Sequence, residues 1–431
     1  MGPSGSAADA ELSCNDGAPR FAGYLRAASQ SINTASALHV VIGNEACDAD
    51  SIISTLVWAY YESHAAAADT LFVPVVSCRR ADWPLRREAS LLISGAIEAS
   101  SLLGALTFLD DVVLSEALAR ARSVGTLKVT LMDHNRLDSG GAALGLRDAD
   151  VTAIIDHHAD SGAHAHVTGD ARVISFVPSE NRGVGSTCTL VAARMLTGGS
   201  DAACPLTAPI ARALLGVILL DTAGLVEAAG KTTAEDLRVA GALASRCDTS
   251  PAALFASLSA LRNDPAFWLG LSVEQALAYD YKSFASAFAP AVAFGTSAIC
   301  VNAGAFLGAT PHGGLARDVI DAAAAYGAAQ HVAFLVLLSA APSNSASAAG
   351  GIERQLAFFE PPRDREHAAV ARHALGRLRA CDKIQLREIA RAATADGGMV
   401  FLFEQGVKTA SRKQIAPLLI EWLSEDSSRA F

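Results

Sequence analysis

The chain has 431 residues, 51% of them hydrophobic and 18% charged, which predicts two or three compact domains and excludes a largely disordered chain. Its net charge of −10 argues against general binding to nucleic acid or to an anionic membrane, so positive charge for an anionic substrate must be concentrated locally. Its eight cysteines form no C-x-x-C pair, which predicts free thiols in a reducing compartment such as the cytoplasm. No apolar run reaches the eighteen or so residues of a membrane span.

In chain order, residues 1–20 are rich in Gly, Ser, Ala and Pro and are predicted to be a flexible leader. Short apolar runs then alternate with helical patterns. The predicted strands are His39–Gly43, Leu71–Ser77, Leu127–Met132 and Val151–Ile155. The predicted helices are Ser51–Ala67 and Arg86–Leu103, and the apolar run Ala211–Leu220 fits either a strand or a helix. This alternation predicts an α/β fold with a parallel sheet and helices on both faces.

The pattern breaks at the turn-forming sequence LRNDP, residues 261–265. Further strands are expected at Ala291–Val301, His331–Ser339 and Met399–Phe403, with helical stretches between them. We therefore expect a first domain at 21–263 and a smaller α/β domain at 264–431, with the active site in the cleft between them.

Acidic residues follow four of the apolar runs. They are Asp48 with Asp50, then Asp133, then Asp156 before His157 and His158, then Asp221. Residues just past the carboxyl ends of parallel strands line the ligand crevice of such folds, so these side chains should converge. One acidic residue in such a place is usually a helix cap or a turn residue, but four in half a chain indicate a site.

Converging carboxylates repel each other unless positive charge lies between them. Oxygen ligands suit Mg²⁺ and Mn²⁺, and Mn²⁺ also accepts imidazole. The pattern therefore predicts a site for two divalent ions, Mg²⁺, Mn²⁺ or Co²⁺, which could activate water for phosphoryl transfer.

The ordered motifs resemble the DHH phosphoesterase superfamily. They are N-x-x-x-D-x-D-S at 44–51, D-H-N at 133–135, D-H-H at 156–158 and the lone Asp221. Further matches are GSTCT at 185–189, DYKSF at 280–284 and SRKQ at 411–414. The resemblance runs from about residue 38 to residue 420 and implies a catalytic DHH domain followed by a substrate-binding domain.

The resemblance implies a role for each matched residue. The implied metal ligands are Asp48, Asp50, Asp133, His157 and Asp221, with Asp133 bridging both ions. The implied catalytic residues are Asp133 and His158. The implied substrate-binding residues are Asn44, His158, Lys282, Arg412 and Lys413. Arg79, Arg80, Arg86 and Arg87 either extend a basic track for a longer phosphate chain or form surface ion pairs.

Three branches of the superfamily are relevant. Family II inorganic pyrophosphatases carry a metal-binding His where this chain has Asn44, whereas the GNEACD string resembles yeast-type exopolyphosphatases and prune-like proteins. Animal prune-like proteins lose the second His of the D-H-H motif, which this chain keeps as His158. The favoured function is therefore exopolyphosphatase, which hydrolyses the terminal phosphate of inorganic polyphosphate and releases orthophosphate.

Several alternatives stay open at this stage. The chain could be a prune-like short-chain polyphosphatase or cyclic nucleotide phosphodiesterase, or an inorganic pyrophosphatase. It could also be a scaffold without turnover, and nucleic-acid trimming is disfavoured by the acidic balance. The cytoplasm is the default localisation, although targeting to a phosphate-storage organelle would not be visible in the sequence, and the sequence gives no oligomeric state.

Overall fold

The computed structural model describes residues 17–65, 69–95, 99–177, 182–197, 206–227, 230–286, 292–342, 351–363 and 368–426. The chain divides into two compact units, one ending at Leu261 and the other beginning at Arg262. The predicted boundary between residues 263 and 264 falls beside this division, and the roles assigned to the two domains stay predictions.

A six-stranded parallel sheet organises the first unit, as the alternating pattern predicted. Its strands are β1 Ala37–Ile42, β2 Thr70–Val76, β3 Thr107–Phe108, β4 Leu127–Met132, β5 Val151–Asp156 and β6 Arg172–Ile174. The strand order is β3-β2-β1-β4-β5-β6, so the chain moves outward in one direction from β1 and in the other from β4. A short hairpin, β7 Phe176–Val177 and β8 Arg182–Gly183, follows this sheet.

Helices cover both faces of the parallel sheet. They are α1 Gly17–Ser31, α2 Ala49–Ala65, α3 Arg87–Ile93, α4 Ala99–Ala105, α5 Val112–Ser123, α6 Ser139–Ala143, α7 Thr187–Thr197, α8 Ala208–Asp221, α9 Ala234–Ala244 and α10 Pro251–Arg262. Along β1, Val41 packs into the apolar cluster formed with α2, α7 and α8, whereas Val40 and Ile42 pack toward α5. This alternation places one buried core on each face.

Two expectations for the first unit need revision, and one open alternative is resolved. The predicted helix Arg86–Leu103 is two helices, α3 and α4, because α3 ends at Ile93 and Gly95 follows. The ambiguous run Ala211–Leu220 belongs to α8, whose burial on all sides explains why its periodicity is weak. Residues 17–20 of the predicted leader begin α1, while residues 1–16 lie outside the described residues.

The second unit is built on a six-stranded mixed sheet in the order β13-β14-β12-β11-β10-β9. Its strands are β9 Tyr281–Ala285, β10 Ala293–Ile299, β11 Leu335–Pro342, β12 Ile352–Glu360, β13 Leu386–Ala393 and β14 Met399–Gln405. Its helices are α11 Pro265–Gly270, α12 Val273–Tyr279, α13 Ala303–Phe306, α14 Arg317–Ala329, α15 Ala368–Arg379 and α16 Arg412–Asp426. Only β10 and β11 pair in parallel among these strands, and apolar clusters lie on both faces.

Among the described residues, every helix is too short or too polar to cross a lipid bilayer.

A histidine inside the parallel sheet makes the stability of the first unit depend on pH. The His39 ring stacks on Phe72 at 4.4 Å, and its Nε2 lies 2.8 Å from the Thr130 hydroxyl. Burial, with the nearby Lys128 ammonium, lowers the pKa of His39 to about 4. The folded chain therefore favours the neutral imidazole.

We expect acid to weaken the first unit through His39. The unfolded chain protonates this imidazole near pH 6.5, so the free energy of unfolding should fall between pH 6.5 and 4, by up to about 3 kcal/mol. His39→Phe keeps a stacked ring and should flatten that part of the curve, measured by urea unfolding at each pH. The same pH dependence in variant and wild type would contradict this assignment.

Candidate metal centre

The candidate site lies where the strand order of the first sheet reverses. The neighbouring strands β1 and β4 run parallel, so their carboxyl ends meet at one edge. Loop 43–48 follows β1, Asp133 follows β4, and Asp156 is the last residue of β5. A crevice at such a topological switch point is where open α/β sheets bind ligands.

Asp133 is buried and held by neutral donors. Its Oδ2 accepts hydrogen bonds from Asn44 Nδ2 at 2.7 Å and from the Ser51 hydroxyl at 2.9 Å, and its Oδ1 accepts one from the Thr187 hydroxyl at 3.1 Å. The residue has a φ of 63°, a left-handed conformation that is uncommon outside glycine. The backbone N–H donates to the Ile155 carbonyl at 2.9 Å, which ties the strained residue to the neighbouring strand.

Asp50 accepts hydrogen bonds at the beginning of helix α7. Its carboxylate accepts from the Ser186 hydroxyl at 2.7 Å and from the backbone N–H groups of Thr187 at 2.8 Å and Cys188 at 2.9 Å. A helix N-terminus carries partial positive charge, which stabilises an anion placed there. Asp50 therefore joins α2, on which it lies, to the first turn of α7.

Burial and neighbouring carboxylates both change the pKa of Asp50. Burial raises the pKa of Asp50 well above its usual range, and the negative charges of Asp133 and Asp221 raise it further. Asp221 is the last residue of α8, whereas Asp48 precedes α2 and accepts from the Ser51 N–H at 3.0 Å. The charge of Asp48 also raises the pKa of Asp50. Asp50 therefore interacts electrostatically with the other three carboxylates that were predicted to bind metal.

His157 presents one ring nitrogen to this acidic group. Its Nδ1 lies 2.8 Å from the Val184 carbonyl, so Nδ1 carries the hydrogen that it donates there. Its Nε2 lies 3.3 Å from Asp133 Oδ1 and 3.7 Å from Asp50 Oδ2. A histidine that donates through one nitrogen to a carbonyl and offers the other to a cation has the usual arrangement of a metal ligand.

His158 is held by the carboxylate at the end of β5. Its Nδ1 lies 2.8 Å from Asp156 Oδ1 and 3.7 Å from Asp133 Oδ1. Burial raises the pKa of Asp156, but the charge and hydrogen bond of His158 outweigh burial and lower that pKa to about 2. Asp156 therefore stays ionised and holds His158 through its Nδ1.

Three of these residues have the geometry to share one metal ion. Ligand atoms of Asp133, His157 and His158 all lie within 4.8 Å of one another. Buried oxygen and imidazole donors, with further carboxylates nearby, fit a divalent cation. The trio includes two of the predicted ligands and adds His158, for which the sequence predicted substrate binding and catalysis.

Asn44 uses its side-chain amide inside the protein. Its Nδ2 donates to the Asp133 carboxylate and backbone carbonyl, and its Oδ1 accepts from the Ala46 N–H at 3.0 Å. In this arrangement Asn44 orients Asp133. Its predicted contact with substrate stays a prediction.

The sequence analysis did not identify the residues that hold the turn leading into α7, next to the acidic group. The Asp236 carboxylate, in a capping box with Thr233 at the start of α9, accepts from the Gly185 N–H at 2.9 Å and the Thr189 hydroxyl at 2.6 Å. A Cβ on Gly185 would lie 2.4 Å from a methyl carbon of Thr222, so this turn requires glycine. The T-x-x-D pattern could have revealed the helix cap, but its partner 51 residues away could not have been foreseen.

Two of the three predicted cations of the second unit, Arg412 and Lys282, lie near the Asp280 carboxylate. Arg412 donates from Nη2 to Asp280 Oδ1 at 2.6 Å and from Nη1 to the Asp280 carbonyl at 2.9 Å. Burial raises the pKa of Asp280, but Arg412, Lys282 and Arg262 together lower it below its usual range. Lys282 lies on β9, and Lys413 lies in the first turn of α16.

Two of the four arginines in the predicted basic track form ion pairs with carboxylates of the protein. Arg79 pairs with Asp82 at 2.9 Å, and Arg80 pairs with Asp111 at 2.7 Å. Arg86 is buried. These contacts favour ion pairing over a continuous track along this segment.

Comparison with known proteins gives consistent matches. The model of the DHH family, N-terminal domain, matches residues 39–220. Exopolyphosphatase PRUNE1 of Bos taurus is 30% identical over 406 residues, which cover 93% of this chain and 79% of that protein. The human PRUNE1 protein is 31% identical over 66% of this chain and 57% of its own length. A provisionally named exopolyphosphatase of Schizosaccharomyces pombe is 31% identical over 50% of this chain and 53% of its own length.

These matches confirm the predicted family and, at the level of enzyme class, the predicted metal-dependent phosphoanhydride hydrolase. The chain belongs to the DHH phosphoesterase superfamily and is similar to its prune-type members.

Proposed function

We propose that the protein is an exopolyphosphatase that uses two divalent ions to remove the terminal phosphate of inorganic polyphosphate. The observation that carries this proposal is the close approach of Asp133 and His157, both buried, with the half-buried His158 beside them, at the switch point of the sheet. The names of the relatives support polyphosphate as the substrate class.

The acidic residues are proposed to hold the ions. Asp48, Asp50, Asp133, Asp221 and His157 supply the oxygen and nitrogen donors, and Mg²⁺, Mn²⁺ and Co²⁺ are the candidate ions. When bound, such ions provide Lewis-acid charge and lower the pKa of water. The hydrogen bonds from Asn44, Ser51 and Thr187 fix the Asp133 carboxylate in place before any ligand arrives.

His158 is proposed to stabilise the charge that develops on the phosphate. Both nitrogens of an imidazole can donate only when the ring is protonated. Since Asp156 is ionised and bonded to Nδ1, it favours that protonated form and leaves the Nε2–H to donate to a phosphate oxygen.

The second unit is proposed to bind the rest of the phosphate chain. Because the chain has a net charge of −10, an anionic substrate needs positive charge concentrated near it. This charge would come from Lys282, Arg412 and Lys413. Asp280 fixes two terminal nitrogens of Arg412, which sets the plane of the guanidinium.

A prune-like preference for short polyphosphates is the second candidate. The alignment with the bovine PRUNE1 protein extends over more of this chain than the alignment with the fission-yeast protein. Chain-length preference and cyclic nucleotide turnover therefore need direct comparison.

We expect purified protein with Mg²⁺, Mn²⁺ or Co²⁺ to release orthophosphate rapidly from tripolyphosphate and long polyphosphate, and slowly from pyrophosphate. Asp133→Asn removes a central carboxylate charge and should lower kcat by about 10³-fold or more, about 4 kcal/mol of barrier. A colorimetric phosphate assay measures all three substrates side by side, with a cyclic nucleotide as a fourth.

Folding of Asp133→Asn is checked by its circular dichroism and unfolding midpoint. Pyrophosphate as the best substrate would contradict the proposal. Release from none of the substrates by the wild type would favour a scaffold role.

We expect Asn44→His to raise pyrophosphate hydrolysis relative to tripolyphosphate hydrolysis by about tenfold, because an imidazole adds a strong ligand beside Asp133. Asn44→Gln retains an amide and serves as the matched control. Equal substrate ratios in wild type and Asn44→His would show that Asn44 does not set this preference.

A further inference from the structure

A half-buried arginine of the second unit has no acidic partner among the described residues. Arg354 lies near the beginning of β12, and its Nε donates to the Lys408 carbonyl at 2.6 Å. Its two terminal nitrogens have no hydrogen-bond partner in the described part of the chain. Burial lowers the pKa of this guanidinium, and no described carboxylate counteracts burial. Taking a cation out of water without a counter-ion costs free energy, which a bound anion would offset.

Two other arginines of this sheet do have counter-ions. Arg387 of β13 pairs with Glu404 of β14, and Arg391 of β13 lies 3.0 Å from Glu388. Arg354 differs from both, because its guanidinium is fixed through Nε and presents its terminal nitrogens to no described carboxylate. Two parallel N–H groups of this kind suit an oxyanion such as a phosphate.

Arg354 and Lys282 lie on one face of the second sheet and at one end of it. Arg354 is two residues before Leu356, which belongs to the apolar cluster under α15 and α16, and Lys282 is two residues before Phe284, which packs against that cluster. β9 and β12 run in the same direction, since each is antiparallel to one of the parallel strands β10 and β11, so their first residues lie at the same end. Glu353 points to the opposite face, because successive side chains of a strand alternate.

Positive charge exceeds negative charge where β9 begins. Arg412, the first residue of α16, bonds the Asp280 carboxylate, and the charge of Lys282 also lowers the pKa of Asp280. Lys413 is exposed beside Arg412. One carboxylate therefore faces more than one cation, and the excess positive charge is open to an anion.

We propose that Arg354 is the far end of a cationic row, formed with Lys282 and Arg412, that binds a linear polyphosphate along this face of the second sheet. β9 and β12 are separated by β10 and β11, so Lys282 and Arg354 lie at least about 14 Å apart, which is three interstrand spacings. A chain of many phosphates spans this distance, whereas pyrophosphate and tripolyphosphate are too short to contact both ends. Arg354 therefore favours long chains. The choice of polyphosphate as the ligand rests on the proposed function.

Arg354 also holds the loop that leads to α16. Its bond to the Lys408 carbonyl, together with the bond from Gln405 Nε2 to the Val407 carbonyl at 2.8 Å, fixes the chain between β14 and α16. A purely structural role would act through this loop on Arg412, and it would weaken the binding of short and long phosphate chains alike. Chain-length dependence therefore separates the two roles.

The test measures binding without hydrolysis. Full-length protein in a metal chelator is titrated calorimetrically with long-chain polyphosphate and, separately, with tripolyphosphate. We expect Arg354→Gln to bind the long chain about tenfold more weakly than the wild type, because one charge-assisted contact is lost. Its affinity for tripolyphosphate should be unchanged, since Lys282 and Arg412 remain. Arg354→Lys retains the charge and should recover most of the long-chain affinity.

Arg387→Gln is the matched control, because Arg387 already pairs with Glu404, and it should bind both ligands like the wild type. Circular dichroism and the unfolding midpoint check that each variant is folded. Equal long-chain affinity in Arg354→Gln and wild type, or an equal loss for both ligands, would overturn the proposal. A selective loss in a protein that hydrolyses no polyphosphate would support the row and refute only the proposed function.

Discussion

Repulsion among buried carboxylates is the constraint on which the first unit depends. Asp50 and Asp133 are both within 4 Å of one imidazole nitrogen of His157, and both are almost completely buried. Like charges placed so close together inside a protein repel each other, because little water separates and screens them. This repulsion and burial raise the pKa of Asp50, so a divalent ion there would stabilise the charged form.

The surrounding fold supplies neutral partners that make this arrangement tolerable. Asp50 faces the N-terminus of α7, and hydroxyl and amide donors surround Asp133. Asp236 in turn fixes the turn at Gly185 that leads into α7. Each partner orients a carboxylate without cancelling its charge, so the group keeps its affinity for cations.

The sequence predicted the strands and the acidic residues because both depend on local patterns. Short apolar runs recur with helical segments between them, and the acidic residues that follow four of these runs are visible without a structure. The break between α3 and α4, the left-handed Asp133 and the Thr187 contact depend on tertiary packing. Asp221 shows the limit clearly, because its apolar run is a fully buried helix and such runs look alike in sequence.

The central claim is that the acidic group binds a divalent ion through Asp133 and His157. Its most direct test is calorimetric titration of the reduced protein with Mn²⁺, comparing wild type, His157→Ala and His134→Gln. His134 belongs to the D-H-N motif, but its Nδ1 bonds the Met132 carbonyl and its Nε2 lies 3.9 Å from Asp138. The account predicts that His157→Ala weakens Mn²⁺ binding by about tenfold or more while His134→Gln binds like the wild type. Undiminished binding in His157→Ala, or no binding by the wild type, would contradict it.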